Sequence, residues 1–166
     1  MERGRFISLE GGEGAGKSTQ IRLLAEALEA RGKHVVVTRE PGGTEGAEAI
    51  RALLLSGGQD RWNDATEALL FAAARADHVA KLIRPALDRG DWVLCDRFVD
   101  STRAYQGGAG GMADADILML HQIGSGGLLP DRTLLHFVWV AQAVPLLYFL
   151  LAWWGTQASH PSDDVS

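Results

Sequence analysis

Residues 11–18 read G-G-E-G-A-G-K-S and match in full the phosphate-binding pattern G-x-x-x-x-G-K-[ST]. The segment lies between a short apolar run at residues 6–9 and a stretch with helical period, as a strand–loop–helix unit requires. Its glycines let consecutive backbone N–H groups point at a polyphosphate, Lys17 can reach the β- and γ-phosphates, and the Ser18 hydroxyl can ligate Mg²⁺. The sequence therefore predicts a chain that binds a nucleoside triphosphate or descends from one that did.

The length, charge and cysteine content of the chain limit the kinds of protein that it can be. At 166 residues it has the length of one domain that can bury a sizeable core. The net charge of −5 predicts no basic surface for DNA or RNA. The one cysteine, Cys95, excludes a disulfide framework and indicates a reducing compartment. Because the apolar run near the N-terminus is too short for a signal peptide, we expect a cytoplasmic protein.

Predicted strands and helices alternate along the first 132 residues. Apolar and β-branched runs predict strands at residues 6–9, 34–38 and 92–95, the last two of them buried. Helical spacing predicts helices after the loop, from residue 44, over about 64–88 and over about 113–123. The first helix is expected to bury Ile21, Leu24, Ala25 and Leu28. The long helix is expected to turn inward Leu69, Leu70, Ala73 and Val79. This alternation favours an α/β fold with a parallel sheet.

Two further segments place charged residues at the ends of predicted strands. Asp96 and Arg97 follow the strand at 92–95, where an aspartate helps to hold Mg²⁺ and an arginine can clamp a phosphate. T-R-E-P-G-G-T at 38–44 follows the second strand, and its Arg39 suits a second anionic ligand at the carboxyl edge of the sheet. Without the phosphate loop, the first segment could equally be a salt-bridged strand end, and glycine-rich turns like the second are common.

Phe71 and Arg75 are four residues apart and share one face of the predicted long helix. Phe71 could stack on a nucleobase while Arg75 donates hydrogen bonds to its carbonyl edge. From the spacing alone, a core phenylalanine and a surface arginine are the simpler interpretation. Two arginine-bearing loops beside a triphosphate loop favour phosphoryl transfer to a second phosphate over hydrolysis that drives a switch.

Four runs of sequence carry a specific resemblance to a known family. They are F-I-S-L-E-G-G-E-G-A-G-K-S-T, T-R-E-P-G-G-T, L-L-F-A-A-A-R and D-R-F-V-D-S-T-R-A-Y-Q-G-G. With these runs the chain closely resembles thymidylate kinase of the bacterial type, from about residue 5 to about residue 135. The resemblance implies a P-loop nucleoside monophosphate kinase fold, a parallel sheet flanked by helices, with its C-terminal part incomplete. It also implies transfer of the γ-phosphate of ATP to dTMP, giving ADP and dTDP for dTTP synthesis, with Mg²⁺ as cofactor and a homodimer as assembly.

The resemblance further implies the residues of each site. Those that would bind ATP are Gly11, Gly12, Glu13, Gly14, Ala15, Gly16, Lys17, Ser18 and Thr19. Those that would bind dTMP are Glu13, Arg39, Phe71, Arg75, Arg97, Thr102, Tyr105 and Gln106. Those that would act in catalysis are Lys17, Arg97, Asp96 and Glu10, and those that would hold the metal are Ser18 and Asp96.

Particular contacts follow from the same resemblance. Phe71 would stack on thymine, and Arg75 would bond its carbonyl oxygen. Arg39 and Arg97 would grip the 5′-phosphate, and Glu13 would face the sugar and receive its 3′-hydroxyl. A tyrosine under the deoxyribose would disfavour a 2′-hydroxyl.

The resemblance ends where the composition changes. Between Arg132 and Asp163 the chain has no Asp, Glu, Lys or Arg. We therefore divide it into an incomplete P-loop kinase domain at residues 1–135 and an atypical apolar tail at residues 136–166.

Three interpretations of the tail stay open. In the first, the tail is a frameshift product or a wrong gene end. In the second, it is a strand at residues 133–140 followed by a short core helix. In the third, it is a membrane helix over residues 134–154. Pro145 and the missing basic flanks oppose the membrane helix, so we expect no membrane association.

A second function hypothesis follows from the tail. The family pattern places an arginine-rich lid over ATP there, and no arginine follows Arg132. Because Gly14 occupies the loop position where some relatives carry an arginine, the lid would have to neutralise the transferring phosphoryl group. Arginines in that role contribute about 10³-fold or more in rate. The alternative to an active kinase is therefore a catalytically impaired nucleotide-binding remnant that lacks the lid.

Overall fold

A computed structural model of the chain describes residues 3–58 and 61–136. At its centre lies a parallel sheet built of β1 (Arg5–Glu10), β2 (Val35–Arg39), β3 (Trp92–Asp96) and β4 (Arg132–Leu135). The strands lie in the order β2-β3-β1-β4, and each pair of neighbours is parallel. The predicted α/β class is therefore confirmed, and the predicted strands are found with ends that differ by no more than one residue.

Helices connect the strands and cover the sheet. The first is α1 (Lys17–Glu29), and α2 (Glu45–Leu55) follows β2. The predicted long helix is present as α3 (Asp64–His78), a π-helical stretch (Val79–Ile83) and α4 (Arg84–Asp88). After β3 comes α5 (Val99–Thr102), which continues as a second π-helical stretch (Arg103–Ala109) and was not predicted. The helix α6 (Asp114–Ser125) agrees with its prediction.

The core lies on both faces of the sheet, because neighbouring residues of a strand point to opposite sides. Leu94 of β3 packs with Leu9 and with the buried side of α1, formed by Ile21, Ala25 and Leu28. Val93 and Cys95 face the other way, into a cluster with Phe6, Val79, Ile83, Ala86, Leu87, Phe98 and Val99. Burial of these apolar side chains on the two faces fixes the sheet between its helices.

Strand β2 is not the buried strand that its sequence predicts. It occupies an edge of the described sheet, and Val37 is 54% exposed. A β-branched run is typical of a buried parallel strand, but it does not reveal which strand stands last in the order. The prediction of burial was therefore wrong for Val37.

The inward face of α3 was also predicted wrongly. Leu69 is 55% exposed and Ala73 is exposed, whereas Val79, farther along, is buried as expected. The buried positions of the helix are instead Ala68, Ala74, Arg75 and His78. Two of these are polar, so a search for apolar spacing selects the wrong side of the helix.

The described residues, up to His136, belong to one compact unit. Apart from His136, the predicted tail lies outside the described residues. The three interpretations of the tail therefore concern residues that the structure does not describe. Within residues 3–58 and 61–136, no helix has the length and apolar character needed to cross a membrane.

Candidate active site

The phosphate-binding loop follows β1 and leads into α1, as its sequence predicts. Gly14 and Gly16 adopt positive φ angles of 70° and 88°, which a side chain would strain. Lys17 is buried, and its Nζ donates to the carbonyl oxygens of Gly11 and Gly12 at 2.9 and 2.8 Å. The lysine is therefore folded over the loop, at the N-terminus of a helix whose free N–H groups favour an anion.

Asp96, at the end of β3, lies beside this loop. Its Oδ1 is 3.9 Å from Lys17 Nζ, and this buried atom has no hydrogen-bond partner among the described residues. A buried carboxylate oxygen without a partner is costly unless a cation or water completes its shell. Ser18 is exposed in the first turn of α1. Oxygen donors of this kind fit Mg²⁺, which binds through one or two carboxylates together with phosphates and water.

A cavity of about 380 Å³ lies next to the loop. Its lining includes Glu13 from the loop together with Phe71 and Arg75 from α3. The other lining residues are Glu40, Pro41, Arg51, Leu55, Arg97, Phe98, Ser101, Thr102, Tyr105 and Gln106. The structure thus brings together seven of the eight residues expected at the dTMP site and leaves out Arg39.

Arg75 is 2% exposed, so the simpler interpretation of a surface arginine is wrong. Its Nε donates to Glu40 Oε2 at 2.7 Å, and its Nη2 donates to Thr102 Oγ1 at 2.8 Å. The guanidinium carbon lies 5.3 Å from the ring centroid of Phe98, within range of a cation–π contact. The arginine is therefore held at the cavity wall in one orientation.

Arg97 enters the same cavity from a strained backbone position. It has a φ of 69°, which is rare for a residue with a side chain. Its guanidinium carbon lies 5.4 Å from the ring centroid of Tyr105, and its Nη1 donates to Ser101 Oγ at 3.3 Å. Strain of this kind persists only where neighbouring contacts over-determine the backbone.

Glu10 supplies those contacts. One of its carboxylate oxygens accepts from the Phe98 N–H at 2.7 Å, and the other accepts from the Ser101 hydroxyl at 2.5 Å. Glu10 is 5% exposed, and burial raises the pKa of its carboxyl group above the ordinary value. Its hydrogen bonds hold the turn that carries Arg97.

Arg39 does not line the cavity. Its side chain is 56% exposed and pairs with Glu48 at 3.1 Å. It lines a groove that also contains Ser18 and Asp96. The bond from the Gly43 N–H to Glu48 lowers the pKa of that carboxyl group. Arg39 therefore lies on the side of the phosphate loop rather than beside Phe71 and Arg75.

The second π-helical stretch presents the remaining expected residues. Gln106 is buried and donates to Glu67 Oε2 at 3.2 Å, whereas Tyr105 is half exposed at the cavity mouth. Two charged lining residues, Glu40 and Arg51, were not predicted from the sequence. Arg51 donates to the Pro41 carbonyl at 2.8 Å. Glu40 stands in the T-R-E-P-G-G-T segment, where alternation from a buried Thr38 could have indicated an inward side chain.

Comparisons with known proteins identify the family of the chain. The thymidylate kinase family profile matches residues 9–145, which continues ten residues past the end of the resemblance at residue 135. Thymidylate kinase of Rhizorhabdus wittichii is 70% identical over 132 residues, and that of Caulobacter vibrioides is 61% identical over 136 residues. These alignments cover 80% and 81% of the chain but 64% and 65% of the relatives. The chain thus spans just under two thirds of the length of these curated relatives.

A solved structure gives the same result. The crystal structure of thymidylate kinase from Ehrlichia chaffeensis superposes with a TM-score of 0.74 at 42% sequence identity. The match covers 81% of this chain and 75% of that one.

Proposed function

The chain belongs to the thymidylate kinase family, and from this premise we propose that it transfers the γ-phosphoryl group of ATP to dTMP. In this reaction the bond from the γ-phosphorus to the β–γ bridging oxygen breaks. A bond from an oxygen of the dTMP 5′-phosphate to the same phosphorus forms, giving ADP and dTDP. The observation that carries the proposal is that Glu13 of the phosphate loop lines the same cavity as Phe71 and Arg75. A donor on the loop and an acceptor in the cavity would therefore be neighbours.

The acceptor would be held by its base, sugar and phosphate. Phe71 would stack on the thymine ring, and Arg75 would donate to a base carbonyl. Glu13 would receive the sugar 3′-hydroxyl, and Arg97 would pair with the 5′-phosphate through its planar guanidinium. Thr102, Tyr105 and Gln106 would complete the pocket, with the tyrosine ring opposing a ribose 2′-hydroxyl.

The donor would lie on the loop at residues 11–19. Lys17 would exchange its two loop carbonyls for the β- and γ-phosphates, and the N–H groups at the start of α1 would face the same anion. Ser18 and Asp96 would hold Mg²⁺, which neutralises phosphate charge when it is bound. Catalysis would then come from alignment and charge stabilisation, with little covalent chemistry from the protein.

In the proposed reaction, Glu10 and Arg39 would act at the edge of this site. Glu10 would position Arg97 through the turn that it holds, and so place the acceptor phosphate. Arg39 would reach the transferring or accepting phosphate after it leaves Glu48. Arg97 is the stronger candidate, because it already lines the cavity.

The setting of this activity is also part of the proposal. We assign the kinase domain to residues 1–135 and place the protein in the cytoplasm, where its one cysteine, Cys95, would stay reduced. A homodimer would form through the helices that follow β2. The exposed side chains of Leu53, Leu55 and Leu69 on α2 and α3 support such a contact.

The first experiment is a coupled assay of ADP release from MgATP on addition of dTMP, with Lys17→Ala as the matched control. We expect dTMP-dependent turnover that falls about 10²-fold or more in the variant, because Lys17 would act on charge that develops in transfer. Absence of dTMP-dependent ADP from a folded chain would refute the kinase. If calorimetry then showed that dTMP still binds, the catalytically impaired remnant would replace it.

A further inference from the structure

A buried relay of four side chains connects the T-R-E-P-G-G-T segment to the arginine at the wall of the cavity. Arg75 Nε lies 2.7 Å from Glu40 Oε2, and the other oxygen, Oε1, lies 3.2 Å from His78 Nδ1. His78 Nε2 in turn lies 2.8 Å from Thr38 Oγ1. His78 is 0% exposed, and the other members are no more than 9% exposed.

The chemistry of the groups fixes the direction of the two hydrogen bonds to Glu40. A carboxylate only accepts, so both Arg75 Nε and His78 Nδ1 donate to Glu40. His78 Nε2 pairs with the Thr38 hydroxyl, which can donate or accept. Each member is therefore satisfied, and none can turn away without leaving a buried polar group unpaired.

The relay determines the orientation of the Arg75 guanidinium. Nε is held by Glu40, Nη2 is held by Thr102, and the guanidinium carbon lies 5.3 Å from the ring centroid of Phe98. Nη1 has no hydrogen bond within the part of the chain that the structure describes, and Arg75 lines the cavity. Nη1 is therefore the donor that remains for a ligand.

We propose that His78 and Glu40 are positioning residues that set the base specificity of the site, by fixing Arg75 as a hydrogen-bond donor toward the cavity. The proposal rests on the proposed function. A fixed donor matches the O4 carbonyl of thymine and opposes the exocyclic amino group that cytosine carries at the same place. Discrimination of dTMP from dCMP therefore depends on a histidine that does not line the cavity.

Two substitutions of the same histidine test the relay. The amide nitrogen of asparagine is as far along the side chain as Nδ1, so His78→Asn can still donate to Glu40. The amide nitrogen of glutamine matches Nε2, so His78→Gln keeps a partner for Thr38 but loses the bond to Glu40. Both variants remove most of the same ring, which makes them matched controls for lost packing.

Binding of dTMP, dCMP and MgATP to each folded variant is measured by calorimetry. We expect the unmodified chain and His78→Asn to prefer dTMP over dCMP by similar ratios. In His78→Gln this preference should fall about tenfold or more, which corresponds to about 1.4 kcal/mol. Affinity for MgATP should be the same in all three proteins. A general loss of structure would lower that affinity as well.

The outcomes separate this inference from the proposed function. If the unmodified chain does not bind dTMP, the proposed function fails and the inference falls with it. If the unmodified chain binds dTMP, and both variants prefer dTMP over dCMP by the same ratio as the unmodified chain, the inference alone is overturned.

A second variant keeps the test decisive should His78→Gln not fold. In Glu40→Gln an amide NH2 replaces one of the two carboxylate oxygens, and an NH2 cannot accept from Arg75 Nε or from the Nδ1–H of His78. We expect the preference for dTMP over dCMP to fall about tenfold in this variant as well. A folded Glu40→Gln protein with unchanged preference would overturn the inference.

Discussion

Replacement of Gly43 by alanine should destabilise the fold by clearly more than the same replacement at Gly32. Both glycines have positive φ, 88° and 72°, so an alanine at either position costs about 1–2 kcal/mol of left-handed backbone strain. At Gly32 nothing lies within 4 Å of an added Cβ. At Gly43 the added Cβ would lie 2.4 Å from Thr38 Oγ1 and 2.5 Å from His78 Nε2. Both variants thus carry the backbone strain, and only Gly43→Ala adds a steric clash.

The collision at Gly43 acts on a buried hydrogen bond. Separating Thr38 from His78 leaves buried polar groups unpaired, at a cost of about 1–3 kcal/mol. The expected loss is therefore about 2–5 kcal/mol for Gly43→Ala and about 1–2 kcal/mol for Gly32→Ala.

Urea unfolding followed by far-UV circular dichroism measures both losses of stability. The comparison holds when the free energy of unfolding falls with urea concentration at the same slope in both variants and in the unmodified chain. Equal losses in the two variants would refute the reasoning. The turn would then be able to move away from the relay without breaking it.

Two further predictions concern Glu10 and the arginines. Burial raises the pKa of Glu10 above 4.5, so the stability linked to its proton is fully present below pH 4.5 and is lost as pH rises through the raised pKa. Urea unfolding at a series of pH values should therefore show the chain losing stability relative to Glu10→Gln as pH rises, and parallel profiles would contradict this. Arg97→Ala should weaken dTMP binding about tenfold or more, because a charge-assisted bond is lost. Arg39→Ala should weaken it less, and the reverse order in calorimetry would contradict the placement of Arg97 in the cavity.

Local sequence patterns were sufficient for the parts of the fold that depend on local chemistry. The phosphate loop needs particular residues at fixed spacing, so its place between β1 and α1 could be predicted. The strands at 34–38 and 92–95 were found because β-branched and apolar runs bounded by turns are short and distinct. The order of the strands is a property of the whole sheet, and for that reason the edge position of β2 was not predicted.

The parts that sequence reasoning missed are those in which polar side chains are buried. On α3 the inward side carries Arg75 and His78, and apolar periodicity cannot identify a side that is partly charged. The helix after β3 was missed because its continuation is π-helical and rich in glycine at residues 107 and 108. The resemblance placed Tyr105 and Gln106 in the site, but only the structure shows the register that turns them to the cavity.

The end of β2 shows how one segment can serve both halves of the proposed reaction. Successive side chains of a strand point to opposite sides, and here Thr38 is buried, Arg39 is exposed and Glu40 is buried. The inward pair belongs to the relay behind Arg75, the arginine proposed to recognise the base, while Arg39 lines the groove that also contains Ser18 and Asp96. Substitutions of the inward pair should therefore alter the choice of base, and substitutions of Arg39 should alter contacts to phosphate. An insertion of one residue before Thr38 would exchange the two sides, and should abolish both functions together.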